Sequence, residues 1–140
     1  MNYELFSLGD VTLQSGQVLP GANLAYKTYG SLNADRSNAV LLPTFYTGTH
    51  IRNEMFFGPD RAINPEKHFI VSINMFGNGL SSSPSNTQAP ADRGHFPLVT
   101  LSDNVTCQKA LLESVFGIDK LLLVSGWSMG GCQTFQWAAQ

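Results

Sequence analysis

The sequence predicts an α/β domain in which an antiparallel hairpin leads into a mostly parallel sheet with flanking helices. Three observations predict it. Two early segments alternate apolar and polar residues. Three later segments are short continuous apolar runs, the pattern of strands covered on both faces. Helical patterns lie between and after those runs, so strands and helices alternate along the second half of the chain.

The elements follow in order. Val11-Thr12-Leu13-Gln14 alternates and reads as a strand near 11–14. Ser15-Gly16-Gln17 supplies a turn. Leu24-Ala25-Tyr26-Lys27-Thr28-Tyr29 alternates again, a strand near 24–29 that completes a hairpin with one wetter side. Ala39-Val40-Leu41-Leu42, Phe69-Ile70-Val71-Ser72-Ile73 and Leu121-Leu122-Leu123-Val124 are the apolar runs, giving strands near 39–44, 68–73 and 120–125. A helix near 101–116 starts at the T-x-x-D capping signal Thr100 and Asp103, carries Val105, Leu112 and Phe116 near helical spacing, and stops at Gly117. A last helix, near 129–140, runs through Phe135 and Trp137. Asn74 to Pro97 shows no element of its own, and a loop that long is functional or mobile.

The 140 residues suit one domain. Charged residues are 13% of the chain, about half the usual ~25%. With 11% aromatic residues this excludes a solvated disordered chain. A net charge of −2 with no basic stripe argues against nucleic acid as a partner. No apolar run approaches the ~18 residues of a membrane span. Met1-Asn2-Tyr3-Glu4 shows no secretory n-region. Two cysteines are too few for a disulfide scaffold, so a reduced, cytoplasmic setting is expected.

One motif carries chemistry. Gly126-x-Ser128-x-Gly130 stands between the apolar run ending near Ser125 and the last helix. A bare G-x-S-x-G also occurs as a glycine-rich turn with a solvated serine. The strand before it and the helix after it decide for a nucleophile elbow. In an elbow the serine sits strained at the tip, and the glycines two positions either side let backbone pass close by. Ser128 is then the catalytic nucleophile, and the Met129 N–H points at the developing oxyanion. The second donor is expected after the third strand, in Pro43-Thr44-Phe45-Tyr46-Thr47-Gly48, with the Tyr46 N–H as candidate. His50, His68 and His95 all precede Ser128, whereas this elbow type places its acid and histidine after the serine. His68 is expected to flank a strand start, His95 to sit in the long loop, and His50 to be the one that could reach substrate. Their spacing resembles no zinc site, and no metal is expected. Cys107 and Cys132, on the two helices, are expected to be small buried hydrophobes.

Several stretches together resemble the homoserine O-acetyltransferase family of α/β-hydrolase-fold acyltransferases. They are Leu13-Gln14-Ser15-Gly16 with Val18-Leu19-Pro20, Leu24 to Asp35, Gly58-Pro59, Phe96-Pro97-Leu98-Val99-Thr100 and Gly126-Trp127-Ser128-Met129-Gly130-Gly131. The run Tyr29-Gly30-Ser31-Leu32-Asn33-Ala34-Asp35 is more specific than the elbow. The resemblance implies a divergent member that moves an acyl group from acetyl-CoA or another acyl-CoA, through an acyl-serine, to a small hydroxyl acceptor. Ser128 would be the nucleophile and the Tyr46 and Met129 amides the oxyanion hole. No bound cofactor is expected, and a homodimer stays open for the complete protein.

Three departures from that family fall at the expected site. Trp127 replaces a glycine before the serine. The loop Pro43 to Gly48 departs from Cys-His-Ala-Leu-Thr-Gly. Asn74 to Pro84 lacks a Gly-Ser-Thr-Gly-Pro run. If the Trp127 indole points into the pocket, a polar amino-acid acceptor loses room. A serine ester or thioester hydrolase is therefore the alternative, and a non-catalytic association module the second alternative. The chain reads as the N-terminal half of the fold, truncated after the elbow helix. Ser128 then has no visible acid or base, and the 140-residue chain alone is expected to be inactive and to associate through an uncovered edge.

Overall fold

The structure, a computed structural model, describes residues 2–140. Five strands form one mixed sheet: β1 Glu4–Thr12, β2 Val18–Tyr29, β3 Ala39–Pro43, β4 Phe69–Ile73 and β5 Leu123–Val124. Their order is β1-β2-β4-β3-β5. β1 and β2 pair antiparallel, as do β2 and β4; β3 pairs parallel to both β4 and β5. The helices are the short α1 His50–Asn53, then α2 Leu101–Phe116 and α3 Met129–Ala139.

β3 and β4 are buried at all five positions each, because both faces are covered. Leu41, Val71 and Ile73 face the main core with Leu111, Leu112 and Ile118. Val40, Leu42 and Ile70 face the other way, against Tyr29, Phe57 and Ile63. This double cover is why the sequence shows runs rather than alternation.

The hairpin differs from the sequence expectation. The first strand spans Glu4–Thr12 rather than 11–14, and Leu13 and Gln14 belong to the turn. The Leu13 N–H donates to the Gln17 carbonyl (2.8 Å), and the Gly16 N–H donates back to the Leu13 carbonyl (2.8 Å). Leu13 is buried because the turn folds it under the sheet. The alternation there recorded burial, not strand.

The last strand is also shorter than 120–125. Only Leu123 and Val124 pair as strand, although the Leu122 and Ser125 amides still donate to the Ala39 and Leu41 carbonyls. β5 is an edge strand covered on one side. Leu122 and Leu123 are exposed, which agrees with the expectation of an uncovered apolar edge in this chain.

α2 has the capping box that Thr100 and Asp103 announce: the Asp103 amide donates to Thr100 Oγ1, and the Thr100 amide donates to Asp103 Oδ2. Its end is Gly117 at φ +63°, a left-handed cap.

The loop from Asn74 to Pro97 is built from side chains. Ser81 Oγ accepts from the Ala25 amide and donates to the Asn74 carbonyl, and Ser82 Oγ accepts from the Asn23 amide. Ser83 Oγ accepts from the Gly79 amide and donates to the Ser81 carbonyl. All three serines are buried. Ser81 and Ser82 satisfy β2 amides beyond the point where β4 ends, and Ser83 ties the loop to itself, so this serine run is a polar plug packed on the sheet.

Candidate active site

β3, β4 and β5 run parallel, so their C-terminal ends leave the sheet on one edge. Three loops begin there: Thr44 onward, Asn74 onward and Gly126 onward. A cavity of about 330 Å³ opens among them, lined by Tyr46, Thr47, Met75, Phe76, Gly77, Asn78 and Met129.

Ser128 stands where α3 begins. Its backbone lies at φ +53°, ψ −121°, a conformation costly for a side-chain-bearing residue, at about 1–3 kcal/mol. Its side chain makes no capping hydrogen bond to the helix, and the residue is exposed. The hydroxyl is thus presented outward rather than spent on the helix end.

The elbow glycines are required by close approach. A β-carbon on Gly126 would lie 2.3 Å from the Gly130 carbonyl carbon and oxygen. One on Gly130 would lie 2.7 Å from the Pro43 carbonyl oxygen. The second contact presses the first turn of α3 against the end of β3, which brings Met129 to the loop that carries Tyr46.

That loop is held at its root. The Thr44 amide donates to the Ile73 carbonyl (3.0 Å), and Thr44 Oγ1 accepts from the Met75 amide (3.0 Å). Asn53 Nδ2, buried under the strand end, donates to the Leu42 carbonyl and to Ser72 Oγ. The Gly48 amide donates to the Phe45 carbonyl (2.8 Å), closing a turn in which Thr47 takes φ +64°. Among the described residues, neither the Tyr46 nor the Met129 amide donates to another group.

The remaining candidates fall elsewhere. His50 is buried and does not line the cavity. Its amide donates to Asn74 Oδ1, and its Nδ1 pairs with Asn74 Nδ2 at 3.2 Å. Its Nε2 is buried without a partner among the described residues. Burial holds the imidazole below its ordinary pKa, against the opposing pull of Asn74 and Glu54. It is a packed residue behind the loop, not one that meets substrate there. His68 precedes β4, its Nδ1 accepting from the Asn64 amide. His95 is exposed in a 3₁₀ turn of the long loop. Cys107 is buried, and burial pushes its thiol up to about 11. Cys132 is exposed, which corrects the expectation of two buried cysteines. Among the described residues, no three His, Cys, Asp or Glu side chains cluster as a metal site would need, and no helix is long and apolar enough to cross a membrane.

Trp127 does not enter the cavity. It is 63% exposed and stacks on Phe56, with ring centroids 6.5 Å apart and planes 22° apart. Ser128, the next residue, is likewise exposed and outside that lining.

Sequence reasoning missed Gln133 and Gln108. Both are fully buried. Gln133 Nε2 donates to the Thr44 carbonyl (2.8 Å), and Gln108 Nε2 donates to Gln133 Oε1 (2.6 Å). A glutamine on each of two helix faces that pack on the sheet was the available signal.

The run from Tyr29 to Asp35, the most specific stretch in the sequence, lies at the opposite end of the strands, before β3. Gly30, at φ +75°, sits where a β-carbon would be 2.2 Å from the His68 carbonyl oxygen. Asn33 Oδ1 accepts from the Ser37 amide, and Asn38 Oδ1 accepts from the Asn33 amide. The run folds a turn; it does not face the cavity.

Comparison with known proteins agrees with this architecture. The profile of the alpha/beta hydrolase fold family matches residues 40–140. A probable esterase of Corynebacterium glutamicum is 47% identical over 96% of this chain and 39% of its own length. An ethyl acetate hydrolase of Pseudomonas veronii is 43% identical over 99% of this chain and 40% of its own. A homoserine O-acetyltransferase of Geobacter sulfurreducens is 36% identical over 94% of this chain and 40% of its own. The solved structure of an acetylester hydrolase from Corynebacterium glutamicum superposes with a TM-score of 0.92 at 46% identity, covering 96% of this chain and 39% of that one. The chain thus spans about 40% of the length of these relatives.

Proposed function

The chain belongs to the alpha/beta hydrolase fold family, and from that premise we propose that the whole protein is a serine ester hydrolase acting on short acyl esters. The observation that carries the reading is the strained backbone of Ser128 at the head of α3, between two glycines that admit no β-carbon.

In this reading Ser128 Oγ attacks the ester carbonyl carbon, and its proton passes to a base. The carbonyl oxygen takes up negative charge and accepts hydrogen bonds from the Tyr46 and Met129 amides. Collapse breaks the carbon–oxygen bond to the alcohol, which leaves with the proton and leaves an acyl-serine. Water repeats the steps, releasing the acid and free Ser128. The base and its acid belong to the part of the whole protein that this chain does not span.

Hydrolysis is preferred over acyl transfer on two supports. The higher identities are with proteins named as esterases or ester hydrolases, 47% and 43% against 36% for the acetyltransferase. The run that most resembled the acetyltransferases is a turn remote from the cavity, so it bears on folding and not on the acceptor. The apolar part of the cavity wall, Met75, Phe76 and Met129, and its ~330 Å³ suit a small acyl group.

The test is a competition in the whole protein between water and homoserine. Acetate release from a simple acetyl ester should far exceed O-acetylhomoserine formation from acetyl-CoA. Dominant homoserine acetylation would restore the transferase reading.

A further inference from the structure

Four groups form one hydrogen-bonded line through the core beneath the cavity. Trp137 Nε1 donates to Gln108 Oε1 (2.9 Å), Gln108 Nε2 donates to Gln133 Oε1 (2.6 Å), and Gln133 Nε2 donates to the Thr44 carbonyl (2.8 Å). The direction of the line is set by its ends. An indole N–H only donates and a backbone carbonyl only accepts. With those ends fixed, each amide has one orientation that satisfies its neighbours. A flip of either would set oxygen against oxygen in a fully buried place.

The line ends on the loop that carries Tyr46. The Thr44 carbonyl and the Phe45 amide share one peptide plane. The next plane holds the Phe45 carbonyl, tied by the Gly48 amide, and the Tyr46 N–H, which points the opposite way across a trans peptide. Gln133 fixes the first plane and the Gly48 turn fixes the second. The same Gln133 Nε2 lies 3.4 Å from the carbonyl oxygen of Met129. One buried amide thus bridges the two segments that carry the candidate oxyanion donors.

We propose that Gln133, oriented by Gln108 and Trp137, is a positioning residue that holds the Tyr46 amide in register with the Met129 amide. The proposal rests on the assignment of Ser128, Tyr46 and Met129 made above. Gln133 touches no substrate. It acts by keeping the loop from relaxing when charge develops on the carbonyl oxygen, the moment at which preorganised donors count most.

The test uses the whole protein and three variants, with steady-state hydrolysis of a p-nitrophenyl acetate probe and thermal unfolding measured on each. Gln133→Met keeps the side chain's length and removes the donor. It should lower kcat about 10–100-fold and leave KM within about twofold, since a displaced donor weakens the transition state and not the bound ester. Trp137→Phe keeps most of the ring and leaves the buried Gln108 Oε1 without its donor, which loosens the line at its far end; kcat should fall several-fold, again at constant KM. This milder variant decides the matter if Gln133→Met does not fold. Ser128→Ala is the control. If Ser128→Ala is inactive while the folded Gln133→Met, or Trp137→Phe in its place, keeps kcat within twofold, positioning is overturned and the nucleophile stands. If Ser128→Ala keeps its turnover, the underlying assignment falls, and positioning with it.

Discussion

A β-carbon at Gly126 would stand 2.3 Å from the carbonyl of Gly130. No real β-carbon sits that close to backbone, so the chain can turn from β5 into α3 at this angle only with glycine at 126. Gly126→Ala must therefore open the elbow and displace Ser128. The expected cost exceeds the ~1–3 kcal/mol of ordinary core overpacking, because the obstacle is backbone. Turnover and the denaturation midpoint should fall together in the whole protein. A variant with wild-type values for both would show that the elbow has slack.

Ser128 itself holds strain that a glycine would release. Its φ of +53° costs a residue with a β-carbon, whereas glycine adopts it freely. Neither Ser128→Ala nor Ser128→Gly can be acylated, so both should be inactive. Ser128→Gly should be more stable than Ser128→Ala by about 1 kcal/mol, although glycine is the worse residue at ordinary positions. Equal stability, or a more stable alanine variant, would mean that the strain is absent in solution.

His50 gives the protein an acid-side weakness. Its folded pKa is depressed by burial, so the unfolded chain binds the proton more readily. Stability is therefore full above the unfolded value near 6.5 and declines as pH falls from there toward the depressed folded value. Denaturant midpoints between pH 8 and pH 5, at about one-unit steps, should fall on the acid side. The fall should be shallower in His50→Gln. The same slope in both proteins would assign it to other groups.

Trp127 is expected to be a bystander to acceptor choice. Its indole stacks on Phe56 outside the cavity. Trp127→Ala should cost stability at the level of an aromatic pair, about 0.5–1.5 kcal/mol or less given its exposure. It should leave the ratio of homoserine transfer to hydrolysis unchanged. A rise in that ratio would mean that the indole does reach the acceptor.

Much of the architecture was legible because it rests on local signals. Runs at 39–42 and 69–73 are apolar throughout because both sheet faces are covered there. Thr100, Asp103 and Gly117 mark the ends of α2 by chemistry that any helix needs. The elbow was legible because its glycines answer to backbone contact. Other parts depended on partners distant in sequence. Leu13 looked like strand because it is buried, but a turn buries it. Ser81 and Ser82 looked like a loose loop because their ordering comes from side-chain bonds to β2. Gln133 and Gln108 offered only their place on two sheet-packed helix faces, since their meaning lies in each other and in Thr44. The acceptor is not legible in the most specific run, Tyr29 to Asp35, because that run folds a turn away from the cavity.

In the proposed reaction Ser128 is acylated by an ester and freed by water. The direct measurement is mass spectrometry of the whole protein quenched during turnover of an acetyl ester, with peptides mapped. An acetyl group should appear on the peptide holding Ser128, localised to that residue, lost on standing in water and absent in Ser128→Ala, which should also lose hydrolysis. An acetyl group on another residue during turnover, or undiminished hydrolysis by Ser128→Ala, would contradict it.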